Sequence, residues 1–231
     1  MPNHIKNKLE LIGQIQDIDS MIKKFGTYHK ASLKFTHNNE ALICENTEGE
    51  FCWFSLTTGR STNRSGLNHL GLPVGFLPEI HDSFFAFPDF AKVVPPPDDP
   101  AYKDLPSQDA AKHSPNWWYT WNCKHWGSKW GGYEYERDAI NIFTFETAWS
   151  AAPEIIEALS LAFPSVTIKY TWADEDTGHN CGRSVYHNGL IESFLPDGGS
   201  IDAYNIAFEL RPDRATDYEL VDGKYRYIDQ D

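Results

Sequence analysis

The chain has 231 residues, enough to bury a core without disulfide or metal staples. Its net charge of −13, from 20 basic and 33 acidic side chains with no basic run, disfavours non-specific binding to a phosphate backbone. No stretch approaches the roughly 20 apolar residues of a membrane span, and the opening MPNHIKNKLELIG lacks the apolar core of a signal peptide.

The four cysteines, Cys44, Cys52, Cys123 and Cys181, form no CxxC pair. They are expected as free thiols in a reducing cytoplasm. Aromatic residues make up 14% of the chain, and their preference for strands predicts a sheet-rich fold. The acidic groups Asp174-Glu175-Asp176 and Asp98-Asp99 are too short to imitate nucleic acid and are expected in solvated loops.

Ile5, Asn7, Leu9 and Leu11 alternate with Lys6, Lys8 and Glu10, which predicts a half-buried strand. After Gly13, the residues Ile15, Ile18, Met21 or Ile22, and Phe25 recur at helical spacing until Gly26, a C′ candidate. ASLKFT and EALICE flank His37-Asn38-Asn39 as a hairpin, with EFCWFSL as a third strand. Residues 57–75 read as a surface loop without a phosphate-binding GxxxxGK[ST] or GxGxxG. Pro95-Pro96-Pro97 and the acidic stretch after it predict a stiff spacer. The organisation expected is an N-terminal α+β region at 1–94, a Pro-rich spacer at 95–116, and a Trp-rich segment plus a further domain at 117–231.

In that last part AINIFTF has strand composition. Ser150 is a candidate cap for a helix that carries Pro153 and Glu154 in its first turn and Ile155, Ile156, Leu159 and Phe163 on one side. VTIKYTW alternates as a strand, Asn188-Gly189 marks a hairpin, SIDAYNIAFEL suggests a helix, and YELVDGKYRYI a last strand bent or turned at Asp222-Gly223. Strand, helix, strand, strand, helix, strand is the ferredoxin-like order, so the fold class expected is α+β with a ferredoxin-like (βαββαβ) C-terminal domain packed on an N-terminal strand–helix–strand region.

The opening Met1-Pro2-Asn3, the central WNCKHWGSKWGG, FTFETAWSAAPEIIEALSLAFP and YHNG together resemble the YubB-like proteins of bacterial plasmids, phages and other mobile elements. Asn122, Trp126, Gly127, Lys129 and Trp130, then Thr147, Ala148, Trp149 and Pro153, occupy the motif positions, with Ser128 where the family usually has threonine. The resemblance runs from about Trp118 to Gly189 and implies the ferredoxin-like C-terminal domain. It carries over no established activity.

Five tryptophans fall within residues 117–132. Trp121, Trp126 and Trp130 are expected to plug the space between spacer and sheet, with Gly127 and Gly131-Gly132 permitting turns. The competing reading exposes the rings beside Lys124 and Lys129 for stacking. Cys123-x-His125 and His179-x-Cys181 are weak zinc candidates, since an i, i+2 pair in extended chain points to one side. His125, His179, His187, Glu136, Glu146 and Asp138 are the acid–base candidates, without a GxSxG or HExxH signature, and no catalytic residue or cofactor is assigned. Cys123, beside Lys124 and His125, is expected to be a half-buried structural thiol.

Three readings of function stand. The leading one is a non-enzymatic interaction or accessory protein with an unidentified protein partner, serving counter-defence or element maintenance. The second is a single-stranded nucleic-acid-associated protein using aromatic stacking. The third is an enzyme with a cleft between the two halves, holding Asn122, His125, Lys129 and Glu146.

Overall fold

The computed structural model describes residues 3–35, 40–45, 51–55, 61–62, 82–103 and 114–228. Its first strand, β1 (His4–Ile12), follows the alternation of the sequence, with Ile5, Asn7, Leu9 and Leu11 buried on one face. Helix α1 (Ile15–Phe25) turns Ile18, Met21, Ile22 and Phe25 onto that same core. Gly26 closes the helix in extended rather than left-handed geometry, at φ −105°, and leads straight into the next strand.

That strand opens a five-stranded antiparallel sheet: β2 (Thr27–Phe35), β3 (Glu40–Glu45), β4 (Phe51–Ser55), β5 (Ser61–Thr62) and β6 (Asp82–Ala86), in the order β5-β4-β3-β2-β6. The two strands of the expected hairpin pair antiparallel and the third strand is present, while the turn residues His37-Asn38-Asn39 lie outside the described residues. The loop expected at 57–75 lies mostly outside the described residues, and its Ser61 and Thr62 pair with β4. Two short helices follow, α2 (Phe90–Val93), capped by Asp89, and α3 (Pro100–Lys103). The three prolines lie in irregular chain between them.

The Trp-rich segment begins with helix α4 (Trp118–His125). Then come β7 (Tyr133–Ala139), β8 (Ile142–Ala148), α5 (Pro153–Ala162), β9 (Thr167–Asp174), and a hairpin of β10 (Gly182–Tyr186) and β11 (Leu190–Phe194). Helix α6 (Ile201–Leu210), capped by the Ser200 side chain, precedes a 3-10 turn and the hairpin of β12 (Tyr218–Val221) and β13 (Lys224–Tyr227). Both dipeptide turns hold: Asn188 and Gly189, like Asp222 and Gly223, take positive φ. No helix among the described residues is long and apolar enough to cross a membrane.

The main sheet has the order β11-β10-β9-β1-β8-β7, with every neighbouring pair antiparallel. Taken as β1-α1-β7-β8-α5-β9, the four neighbouring strands β9-β1-β8-β7 have the ferredoxin-like order, and the fold class stands as expected. Its strands come from different places, however. The chain's first strand fills the centre of the sheet, between β8 and β9, rather than a separate N-terminal unit. The expected last strand is instead the hairpin β12–β13, which stacks Tyr218 and Tyr225 on Tyr204 and Phe208 of α6. AINIFTF straddles a turn at Ile140-Asn141, and Tyr133–Ala139 is a strand of its own. Ser150 does not cap α5. The cap position is Ala152, and the Ser150 hydroxyl donates to the Gly127 carbonyl.

One sheet face packs on α1 and α5, where Phe25 meets Phe163 edge-on at 5.9 Å. Asn7 lies in this apolar layer, fully buried and fully bonded. It donates to Thr147 Oγ1 at 2.9 Å and to the Ile5 carbonyl at 2.9 Å, and accepts from the Tyr170 hydroxyl at 2.6 Å. The Tyr170 oxygen in turn accepts from the Ala152 amide at the start of α5. On the other face α6 buries Ala203, Ile206, Ala207 and Leu210 against Ala173 and Cys181. Its Glu209 takes Lys8 at 3.0 Å and Arg183 at 2.6 Å.

Two outcomes follow from these contacts. Asn7→Ala leaves the Tyr170 O–H without its acceptor and takes a donor from Thr147 Oγ1, while Tyr170→Phe leaves Asn7 Oδ1 and the Ala152 amide unpaired, so each is expected to cost about 2–4 kcal/mol in urea denaturation. Burial raises the Glu209 carboxyl, but Lys8 and Arg183 outweigh it and hold it below its ordinary range. Its contribution to stability is therefore present above the unfolded carboxyl pKa and lost as pH falls through the lower folded value. Glu209→Gln should flatten that acid limb in thermal melts from about pH 6 to about pH 3.

Candidate functional site

The antiparallel register brings the start of β1, the start of β7, the end of β8 and the end of β9 to one end of the sheet: His4 opposes Ala148, Ile5 opposes Asp174, and Tyr133 opposes Glu146. The motif residues of the Trp-rich segment and of the turn after β8 converge there. They divide into a buried set that builds the corner and an exposed set that it presents.

The buried set is Trp121, Asn122, Trp126 and Thr147. Trp126 meets Trp121 and Phe90 edge-on, and its indole N–H donates to the Val94 carbonyl at 2.9 Å. His125 stacks on Trp121 at 4.6 Å. Asn122 donates to the Lys129 carbonyl and accepts from the Tyr102 hydroxyl, so one amide ties α4, α3 and the loop after α4 together. Gly127 has φ +75°, and a Cβ there would lie 2.0 Å from the Glu154 carboxylate. The positive φ and the Ala151 carbonyl, 3.1 Å from that Cβ position, favour glycine here. Trp121 and Trp126 are therefore the expected plug, whereas Trp130, expected with them, is 40% exposed. Trp118 is partly covered, and its buried indole N–H has no hydrogen-bond partner among the described residues.

The exposed set centres on Lys129. Its ammonium lies 4.4 Å from the Trp130 ring centroid and 5.9 Å from that of Tyr119. Trp149 is 56% exposed and has φ +73°, a left-handed conformation that costs a bulky side chain. The turn that carries it is held from three directions. Its amide donates to the Asn3 carbonyl at 2.8 Å, the Thr147 hydroxyl donates to the Ser150 carbonyl at 2.7 Å, and Ser150 reaches Gly127. Tyr119, Cys123, Gly127, Lys129, Ala148, Trp149 and Ser150 line a recess of about 480 Å³. Cys123 is exposed, not half-buried, because it lies on the outer side of α4.

A polar cluster occupies the same sheet end. His4 Nδ1 lies 2.8 Å from the Tyr133 hydroxyl and 3.3 Å from Glu146, and Arg211 lies 3.3 Å from the other Glu146 oxygen and donates to the His4 carbonyl. Burial, then the Glu146 charge, pushes the Tyr133 phenol well above its ordinary range. Asp174 is buried, not a solvated loop residue, and accepts from the side chains of Asn3 and Asn180 and from the Asp176 amide. These contacts fasten the chain start to the end of β9.

The four zinc candidates do not meet. Cys123 and His125 lie on a helix, where an i, i+2 spacing turns side chains to different sides, and Cys181 is buried against the Ala203 carbonyl. Among the described residues no group of three or more His, Cys, Asp or Glu is placed to hold a metal ion. Of Asn122, His125, Lys129 and Glu146, only Lys129 lines the recess. A larger groove of about 520 Å³ lies away from this corner on the open sheet face, lined by Lys8, Glu10, Lys169, Arg183, Glu192 and Glu209. Its three cations are bonded to Glu209 or Glu10, so it offers a ligand little free charge. The Trp149 corner, with strain, exposed rings and a cation together, is the stronger candidate.

Fold and corner together define an α+β protein with a ferredoxin-like sheet and an aromatic surface at one sheet end. A family model described as a ferredoxin-like domain in Api92-like protein matches residues 126–211, which include Trp126, the Lys129 loop, the Trp149 turn and α6. No curated protein and no solved structure matches the chain.

Sequence reasoning missed Tyr119, His4, Tyr133 and Arg211. Tyr119 was open to helical phase, because Trp118, Trp121, Asn122 and His125 share one side of a helix and leave Tyr119 and Cys123 on the other. The other three are joined only by long-range pairing.

If Trp149 is held strained for its ring rather than for packing, Trp149→Gly should leave stability unchanged or raise it by up to about 1 kcal/mol in urea denaturation. Trp149→Ala, which keeps a side chain at positive φ, should show no gain. A loss above about 1 kcal/mol in Trp149→Gly would assign the ring to packing.

Proposed function

We propose that the chain is a non-enzymatic binding protein that engages a protein partner through the surface formed by Tyr119, Lys129, Trp130 and Trp149. One observation carries this reading: Trp149 is exposed in a left-handed turn that three hydrogen bonds hold in place. Strain kept at an exposed ring is typical of a surface that contacts something, and Trp and Tyr are among the side chains that dominate protein contacts. The acidic net charge favours a protein over a polyanion. The resemblance of the motif residues to YubB-like proteins supports an accessory role on a plasmid, phage or other mobile element, in counter-defence or element maintenance.

A second reading is supported by the grouping of exposed rings about Lys129. Tyr119, Trp130 and Trp149 offer flat faces of the kind that stack on unpaired bases.

The two readings part in one set of measurements. For a protein partner, affinity capture with the wild-type chain should retain a stoichiometric protein that Trp149→Gly and Trp130→Ala each lose by roughly tenfold or more. Capture unaffected by both substitutions removes the corner from recognition. For nucleic acid, single-stranded oligonucleotides should bind at low salt and weaken steeply as salt rises. A flat curve at about 50 mM salt ends that reading.

A further inference from the structure

The two edges of the main sheet are treated differently. The β7 edge carries Glu134, Glu136, Arg137 and Asp138, all exposed, and its pairing with β8 slips at two places. Charges and bulges of this kind keep an edge from pairing with another strand. The β11 edge has neither a lysine nor a proline within the strand, one charge, Glu192, and one slip against β10, at Ile191 beside the hairpin turn, and all five of its residues are exposed. Leu190, Ile191, Phe194 and Leu195 are 52%, 61%, 48% and 67% exposed. Leu161 of α5, 55% exposed, extends the apolar surface toward the Gly189 turn. An apolar edge with fewer guards than its opposite and an open row of backbone N–H and C=O groups is a pairing surface.

We propose that β11 pairs antiparallel with β11 of a second copy of this chain, about a two-fold axis through Ser193, to give one continuous sheet. A two-fold axis normal to the sheet keeps each face on its own side, so the paired strands must centre on a residue rather than between two. Centring on Glu192 would set two carboxylates against each other. Centring on Ser193 sets Ile191 opposite Leu195 of the second copy and Glu192 opposite its Phe194. Beyond that Phe194, in the next strand, comes Arg183, its register partner in β10. Strand spacings of about 4.8 Å put Glu192 and the second copy's Arg183 about 10 Å apart at the backbone, a span that their side chains close over the ring. Glu192 has no ion-pair partner among the described residues, and Arg183, 48% exposed, holds Glu209 through Nη2 alone, which leaves Nη1 for a second carboxylate. The edge is thus complementary to itself in both apolar contact and charge. None of these residues lines the recess at Trp149, so the proposal stands apart from the partner reading.

The test is sedimentation equilibrium at about 0.15 M salt, where a Debye length of about 8 Å screens the like net charges of two copies. The wild-type chain should dimerise reversibly, and Ile191→Lys, which puts a guard charge at an exposed position, should weaken the dimer at least roughly tenfold with an unchanged circular dichroism spectrum. Ser193→Cys, at the axis, should cross-link under mild oxidation, because opposite residues lie about 4.5–5.5 Å apart at Cα. Glu192→Cys should cross-link far more slowly, since it meets its own copy only diagonally at about 7–8 Å. Both variants share the native thiol background. A wild-type chain that stays monomeric, a dimer indifferent to Ile191→Lys, or Glu192→Cys cross-linking as fast as Ser193→Cys would each overturn the proposal.

Discussion

The structure depends on the pairing of β1 with strands on both of its sides. His4 to Glu10 bond to β8, and Ile5 to Ile12 bond to β9, so a strand met at the start of the chain is the centre of a sheet whose flanking strands come 140 residues after Asn7 at Thr147 and 163 after it at Tyr170. The half-buried alternation of β1 supplies the apolar face, but alternation alone does not choose neighbours. The choice is reinforced by polar groups that only these partners satisfy. Asn7 needs Thr147 of β8 and Tyr170 of β9 at once, and Asn3 reaches Asp174 at the end of β9. A register slip by one residue would turn Asn7 to solvent and bring Lys6 or Lys8 into the core. The segment that matches the family model, residues 126–211, excludes this central strand. Within this chain the ferredoxin-like sheet therefore has a gap at its middle until the first twelve residues enter it.

The same closure shapes the candidate site. The Trp149 turn is held by the Asn3 carbonyl, by Thr147, whose hydroxyl also serves Asn7, and by Ser150, which reaches the Gly127 loop. The left-handed tryptophan is therefore coupled through short hydrogen-bonded steps to the centre of the sheet. On the other side Asn122 and Trp126 fix the Lys129 loop to α3 and to the chain after α2. Clustered tryptophans thus do two jobs within about fifteen residues: Trp121 and Trp126 are mortar, and Trp130, with Tyr119 and Trp149, is the surface that the mortar holds still.

Much of the local structure was legible because each element carries its own period. The spacing of Ile18, Met21, Ile22 and Phe25 marks α1, the alternation at Val166, Ile168, Tyr170 and Trp172 marks β9, and Asn188-Gly189 marks the hairpin after it. What was hidden has physical reasons. Tyr133–Ala139 is an edge strand with charges on both sides, so it shows no half-buried pattern. YELVDGKYRYI has strand composition because Tyr218 and Tyr225 pack on Tyr204 and Phe208, and composition does not say whether a strand joins a sheet or covers a helix. Ser150 was a sound cap by type, yet its hydroxyl is drawn to Gly127 by a long-range contact. At the site, the motif positions were all named from the sequence. Their division into buried and exposed was not, because Trp130 and Trp149 lie in turns beyond α4 that carry no period, and long-range contacts decide what covers them.

Net charge and local charge need separating at this surface. The total of −13 acts at a distance, where it slows the approach of polyanions and keeps copies apart at low salt. At contact range the groups that matter are those within a few ångströms. The open sheet face is internally compensated, with Lys8 and Arg183 on Glu209 and Lys169 on Glu10. At the Trp149 corner the polar cluster is likewise self-paired, with Glu146 shared between His4 and Arg211. That leaves the Lys129 ammonium over Trp130 as the charge presented by the recess, and a cation lying on a ring is already partly matched. The binding role proposed for this corner would therefore draw on apolar contact with the exposed rings of Tyr119, Trp130 and Trp149 more than on field.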